Sequence, residues 1–325
     1  MRFIRDILQE AAEAGRPAIS CEFFPAKTAQ GEQALVEKIV PRLKAVNPAF
    51  FSVTYGAGGS TREKTLGIVD AIQQQHQVPT MAHLTCVGST RADIGSVLDE
   101  AKQRGIDNIL ALRGDPPTGE AFTKPEGGFE YSYELVEHIH TRNEFSIGVA
   151  GFPEGHIACT EGREVDWDRL KAKVDSGADF VITQLFFDNA DFYAFRDYLR
   201  ERGMNQPIVA GIIPILSARQ IQRFTELCGS KLTPEITARL EELGDDDEAV
   251  STFGIEYATT HRLPAASPNK DPFSPSVNTI VDIPYSFRIA LTRSGSEPIS
   301  GKSSRAASVV GFSKSASLST AFNVD

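Results

Sequence analysis

The sequence predicts a (β/α)8 barrel, and three observations carry that prediction. Seven apolar runs with strand character recur, their starts 28 to 38 residues apart. Most are nearly continuous in apolar residues, the pattern of strands covered by helices on both faces. Polar side chains stand at the ends of many of them, where a barrel gathers its site. A doubly wound sheet is the alternative. Yet the first run ends in Glu-Phe-Phe-Pro, and no GxGxxG turn follows it.

Residues 2–13 read as an amphipathic helix ahead of the first strand, 18–25. A helix over 31–46 puts Leu35, Ile39, Leu43 and Val46 on one face. The second strand, 50–55, runs into the glycine-rich segment 56–61 and then a helix. The third strand, 80–86, is followed by a helix over 91–104, with Thr90 as its N-cap and Ile94, Val97, Leu98 and Ala101 on its buried face. Strands follow at 108–114, 146–153, 180–188 and 208–214. Helices follow the last two, over 189–202 and 217–227.

The chain has 325 residues and a formal net charge of −10, with 41% hydrophobic and 23% charged residues. That is a globular balance with ample core. An acidic chain offers no footing for sequence-independent nucleic-acid binding. The longest strongly apolar stretch, 208–216, is too short to span a bilayer, and the acids in the first helix argue against a secretory signal. Cys21, Cys86, Cys159 and Cys228 form no CxxC pair. Neither a metal site nor a disulfide framework is expected, and a reducing cytoplasm is the expected location.

Charge divides the chain in two. Residues 261–325 hold seven Lys+Arg against four Asp+Glu, a net of +3, so residues 1–260 carry −13. The same 65 residues contain 14 Ser and 6 Pro, which favours a flexible tail. Within it only 279–283 and 285–291 have strand character, separated by Pro284.

Several residues bear chemistry. Glu22 lies among apolar neighbours, where an unpaired carboxylate is costly. Burial is expected to raise its pKa, which suits a general acid; a strand-end salt bridge accounts for it equally well. Asp115 follows Arg113 and Gly114 and precedes two prolines, a rigid turn that holds a carboxylate over a barrel mouth or simply bonds its own backbone. The Thr54–Thr61 segment permits close backbone approach to an anion. His83 reads as a ligand or a satisfied core histidine. His83 and His156 show no HxH or HExxH spacing that would mark a metal site. Gln184, in an apolar strand, needs both ends of its amide satisfied, which a planar heterocycle or neighbouring backbone would do. Phe224, alone on a helix, counts first as core.

Taken together, these pieces resemble the methylenetetrahydrofolate reductases, flavoenzymes of one-carbon metabolism. The motifs that carry the resemblance are Glu22-Phe-Phe-Pro25, Ser52-Val-Thr-Tyr-Gly-Ala57, His83-Leu-Thr-Cys86, Ala111-Leu-Arg-Gly-Asp115, Phe152-Pro-Glu-Gly-His156, Thr183-Gln-x-Phe-Phe-Asp188 and Gly211-Ile-Ile-Pro214. They lie in the family's order across residues 15–259.

The resemblance implies a barrel over 1–260 that binds FAD at its C-terminal face and takes hydride from NADH or NADPH. It then reduces a small-molecule folate, 5,10-methylenetetrahydrofolate, to 5-methyltetrahydrofolate. Glu22 matches the family's general acid. Asp115 matches a carboxylate near the flavin and the folate, where a fixed negative charge stabilises a cationic iminium. Gln184, Gln220 and Phe224 match folate-contacting positions. The flavin positions carry over to Thr54, Tyr55, Ala57, His83, Arg113, Gly114 and Asp115. They continue through Ser132, Phe152, His156, Asp166, Arg169 and Lys173, with Arg169 and Lys173 expected to meet phosphates. Phe152 stands where some members have tyrosine. No metal, nucleic acid or membrane is implied; a homo-oligomer is admitted, with helix 2–13 as a candidate interface.

The pattern departs after Thr260. The family continues into an eighth strand with a His-Phe-Tyr-Thr-Leu-Asn-type motif and a substrate-contacting arginine, and this sequence has neither. The expected fold is thus a barrel whose eighth strand is missing or replaced, with 285–291 the candidate replacement and Arg288 or Arg293 near the folate. Loss of the strand would leave unpaired edges. That keeps a second reading open: an impaired barrel that binds FAD or partner subunits without turnover. A third is a metal-dependent or phosphate-sugar barrel enzyme of other chemistry.

Overall fold

The computed structural model describes residues 1–16, 18–55, 62–116, 122–260 and 287–291. Seven strands pair in parallel in chain order: β1 (Ile19–Phe23), β2 (Phe50–Val53), β3 (Thr80–Thr85), β4 (Asn108–Leu112), β5 (Ser146–Gly151), β6 (Phe180–Leu185) and β7 (Ile208–Gly211). Each falls within one of the seven predicted runs. Of the polar residues near the run ends, Glu22, His83 and Gln184 lie within strands, whereas Thr54, Asp115 and Glu154 belong to the loops that follow.

Helix α1 (Ile4–Glu13) precedes the sheet, and α5 (Arg91–Gln103), α8 (Asn189–Glu201) and α9 (Ala218–Cys228) lie where periodicity puts them. Thr90 caps α5 with a reciprocal capping box to Asp93. The helix expected over 31–46 is interrupted. α2 (Ala29–Ala34) and α3 (Val40–Lys44) are joined by a π-turn, Leu35–Ile39, in which the Val40 N–H reaches back five residues to the Leu35 carbonyl. Pro41 explains it: proline has no N–H for the Glu37 carbonyl, and its ring pushes that carbonyl aside. The remaining helices are α4 (Arg62–His76), α6 (Ser132–His140), α7 (Arg163–Asp175), α10 (Pro234–Leu243) and α11 (Asp247–Thr260).

Strand alternation sorts side chains into two cores. Cys21, Phe23, Phe51, Val53, Ile109 and Val149 face outward into a large core shared with the helices. Phe50, Met81, Leu110, Phe180 and Val209 face inward, where they meet Ile4, Leu8 and Ala11 of α1. α1 therefore plugs the end of the barrel at which the strands begin. Its N-cap, Phe3, offers no side-chain acceptor, so the barrel supplies acceptors instead. The Ile4 N–H donates to Asn108 Oδ1 at 2.7 Å and the Arg5 N–H to Ser146 Oγ at 3.1 Å. With that end closed, the opposite end is the one left for a site.

A third core joins α9, α10 and α11 to the ends of β6 and β7 through Leu185, Phe187, Ile213, Ile215, Ile236 and Val250. There α11 approaches the loop after β7 so closely that a Cβ on Gly254 would stand 1.8 Å from the Ile215 carbonyl oxygen.

The eighth position is taken by β8 (Phe287–Leu291), which pairs with β1 antiparallel: Phe23 opposite Phe287, Glu22 opposite Arg288. β8 lies alongside β7 without joining its ladder. The replacement strand thus forms within the expected 285–291, but against the direction of its neighbours. Its first residue, not its last, lies at the open end. Segment 279–283 and Arg293 lie outside the described residues. β8 belongs with the barrel in one unit, Met1–Gly295.

Candidate active site

On one wall of the open end, β1, β2 and β3 each contribute an inward polar side chain. Glu22 is 6% exposed, Ser52 3% and His83 7%. The Ser52 hydroxyl donates to Glu22 Oε2 at 3.3 Å, and His83 Nε2 lies 3.3 Å from the same oxygen. The His83 contact has ion-pair distance but not the alignment of a hydrogen bond. Two residues on, Thr85 Oγ1 is buried without a hydrogen-bond partner among the described residues.

The loops above this wall are sewn together. The Thr54 N–H donates to the Phe23 carbonyl at 2.8 Å, and the Thr54 carbonyl accepts from Thr65 Oγ1 at 2.9 Å. Tyr55 Oη accepts from Arg62 Nε at 3.0 Å, and Arg62 also reaches Ser89 Oγ at 3.1 Å. The Arg113 carbonyl accepts from the Val87 N–H at 2.8 Å. Gly114 then turns with φ +82°, where a Cβ would stand 2.7 Å from Val87 Cγ1 and 2.8 Å from Thr85 Cβ. Only glycine fits both the angle and the space. Arg113 lies over the Phe122 ring at 5.0 Å, and Asp115 is exposed.

The other wall is the corner between β5 and α7. The Phe152 and His156 rings meet edge to face, 4.6 Å between centroids. The Trp167 indole donates to the Phe152 carbonyl at 2.8 Å and so pins α7 beneath β5. Asp166 accepts from the His156 backbone N–H at 3.1 Å, and burial raises its pKa. Burial lowers the pKa of His156, which lies within the electrostatic reach of Asp166, Arg113 and Asp115. Its Nδ1 accepts from the Ala158 N–H at 3.0 Å, which assigns the ring proton to Nε2. Lys173 Nζ donates to the Ala150 carbonyl at 2.8 Å, and burial pulls its pKa down to about 8.

Two groupings therefore emerge from the sequence candidates: Glu22 with His83, and Phe152 with His156, Asp166 and Lys173. Gln184 stands half-buried on β6, its Oε1 accepting from the Leu185 N–H at 2.9 Å where the β6–β7 register shifts. Phe224 is half-buried in the third core, and Gln220 is exposed on α9. Ser132 opens α6 between the stacked, exposed rings of Tyr131 and Tyr133. Arg169 is exposed and paired with Glu161. Ala57 lies outside the described residues. Among the described residues, no three His, Cys, Asp or Glu converge as a metal site, and no helix is long and apolar enough to cross a membrane. Sequence reasoning missed Ser52 as a site residue, although strand alternation puts it on the face of Thr54. It also missed Lys231, whose N–H donates to both carboxylate oxygens of Glu154 at 3.1 Å.

Comparison with known proteins agrees with the motifs. A family model described as methylenetetrahydrofolate reductase matches residues 7–263. Methylenetetrahydrofolate reductase (NADH) 1 of Arabidopsis thaliana is 42% identical over 265 residues, 78% of this chain and 45% of that protein. The 5,10-methylenetetrahydrofolate reductase of Escherichia coli K12 is 35% identical over 256 residues, 78% of this chain and 84% of that protein. The chain thus spans less than half the length of the plant relative. Among solved structures, oxaloacetate acetylhydrolase with 3,3-difluorooxalacetate superposes at a TM-score of 0.45 and 13% identity, covering 79% of this chain and 82% of that one. A likeness that low carries no argument.

Proposed function

The chain belongs to the methylenetetrahydrofolate reductase family, and from that footing we propose that it reduces 5,10-methylenetetrahydrofolate to 5-methyltetrahydrofolate in the cytoplasm, with NADH or NADPH as electron source and FAD as cofactor. FAD, when bound, carries two electrons from the nucleotide to the folate. The observation that carries the reading is the buried Glu22–Ser52–His83 grouping at the open end of the barrel.

The residues fit such a cofactor. Thr85 Oγ1 and His83 Nε2 are buried polar atoms lacking a hydrogen-bond partner among the described residues, and a ring rich in N–H and C=O groups would satisfy them. Thr54, Tyr55, Arg113 and Gly114 belong to the loops that would hold it, and Ala57 is a further position that the resemblance implies. Lys173, beside the end of β5, supplies a cation for a phosphate. His156 and Asp166 orient that corner, and the Phe152 ring closes it against water.

Glu22 supplies the proton to the bridge nitrogen that leaves when the methylene-bridged ring opens. Asp115 holds a negative charge near the cationic iminium that results. Gln184 presents an amide to the folate and to the nicotinamide in turn, and Gln220 and Phe224 complete the folate side.

A visible absorbance spectrum of the purified chain, before and after anaerobic NADH, tests the cofactor. The expected result is a flavin band that bleaches and then returns on adding methylenetetrahydrofolate. A protein that stays colourless with added FAD sinks the reading. The antiparallel β8 favours one alternative, a barrel that holds FAD without turnover. It is distinguished by a band that bleaches with NADH but does not return with folate.

A further inference from the structure

Two contacts converge on one oxygen of a buried acid. Ser52 Oγ donates to Glu22 Oε2, and His83 Nε2 stands at the same 3.3 Å. We infer that Ser52 is a positioning residue that, together with His83, sets the proton affinity of Glu22 for the folate step. The inference rests on the function proposed above.

Ser52 is the β2 partner of Glu22 in the parallel ladder and is 3% exposed, so water does not compete for its hydroxyl. A hydroxyl that donates to a carboxylate favours the ionised form, and a protonated imidazole does the same. Burial acts the other way, because it penalises the charge. An acid held by burial alone would keep its proton too tightly to give it up near neutral pH. Ser52 and His83 offset that burial. When the carbon–nitrogen bond of the bridge breaks, its electron pair stays on the leaving nitrogen and takes the Glu22 proton. The new carboxylate is then held by the Ser52 hydroxyl until a proton from solvent restores the acid.

Neighbours on three adjoining strands bear on this titration. On the same strand, Cys21 points into the outer core, where burial pushes its thiol up. β2 contributes the uncharged Ser52, and β3 contributes His83. On β8 the register position opposite Glu22 is Arg288.

The test uses the FAD-loaded chain in rapid mixing, each half-reaction followed separately against pH. In Ser52→Ala, reduction by NADH should stay within about twofold of wild type. Reoxidation by methylenetetrahydrofolate should slow by about tenfold, and its fall at high pH should move up by about one pH unit, the shift expected from losing one hydrogen bond to a charged group. Ser52→Thr and Ser52→Val, alike in shape, supply the same contrast between hydroxyl and methyl where the alanine variant does not hold FAD. A pH-difference infrared spectrum reads the carboxyl directly, identified by its loss in Glu22→Gln, and needs no folate turnover. Its midpoint should rise when the hydroxyl is removed. An unmoved midpoint, or an unmoved pH limb and rate, overturns the inference. A wild type that never reoxidises with folate overturns the proposed function instead, and the infrared midpoint still decides the role of Ser52.

Discussion

Glu22 on β1 is buried and Lys173 on α7 is half-buried, and the chain surrounds the two ionisable groups differently. Glu22 meets two side chains, Ser52 and His83, of which His83 can itself take or release a proton. Lys173 donates to a backbone carbonyl, Ala150, which cannot, and its nearest charge of opposite sign is Asp166. A carboxyl among exchangeable partners is arranged to move a proton. A lysine held only by a carbonyl keeps a positive charge free to meet an anion. On the proposed function, one wall serves the chemical step and the other holds an anion.

If that division is right, Glu22→Gln should separate the two half-reactions. Removal of a general acid costs about a hundred- to ten-thousandfold, so folate-dependent reoxidation should fall by roughly that factor while reduction by NADH stays within a few-fold. Stopped-flow absorbance measures both. Equal losses would mean that Glu22 serves the flavin site as a whole, and the contrast between the walls would collapse.

The β5–α7 wall makes a pH prediction of its own. The Lys173 pKa falls from 10.5 to about 8 on folding, so between those values the unfolded chain binds more protons than the folded one. Stability of the cofactor-free protein should therefore rise with pH across that window, by roughly 3 kcal/mol if Lys173 acted alone. The penalty is carried in full below pH 8. A bound phosphate would raise the Lys173 pKa and flatten the slope. Melting temperature against pH, with and without FAD and in Lys173→Met, checks this. An identical slope in wild type and Lys173→Met would show that Lys173 is not the group responsible.

Lys173→Met should also act in opposite directions on stability and binding. It removes a half-buried cation that desolvation disfavours, so the cofactor-free melting temperature at neutral pH should rise. FAD affinity should fall by about ten- to a hundredfold, the worth of one charge-assisted hydrogen bond. Fluorescence titration of FAD provides the number. Unchanged affinity would move the phosphate away from this corner.

These contrasts also show what was legible in the sequence. The seven parallel strands were readable because each is an apolar run, most have a polar residue near the end, and both faces of the strands are largely buried. Glu22 and His83 were visible as polar residues in such runs. Ser52 was not, because a serine in a strand announces nothing until the neighbouring carboxylate is placed opposite it. The π-turn needed the knowledge that Pro41 sits inside a continuing helix rather than at its end. The direction of β8 was invisible for a different reason: strand propensity is the same read either way, and only pairing with β1 decides it. The close approach of α11 at Gly254 likewise depends on a loop carbonyl remote in sequence.

Arg169 offers the mildest contrast on the β5–α7 wall. The family resemblance groups it with Lys173 as a phosphate contact. The structure separates them. Arg169 is 57% exposed and pairs with Glu161, itself 58% exposed, and it donates to Cys159 Sγ at 3.3 Å. Salt and water screen such a pair, so Arg169→Ala should leave the melting temperature almost unchanged. Its effect on FAD should be a few-fold loss that shrinks as salt is added, whereas the Lys173→Met loss should shrink less, because that cation is half-buried and held against the Ala150 carbonyl. FAD titrations of both variants at low and high ionic strength measure the difference. Equal salt dependence would mean that both cations meet the cofactor from solvent, and that burial at Lys173 contributes nothing to binding.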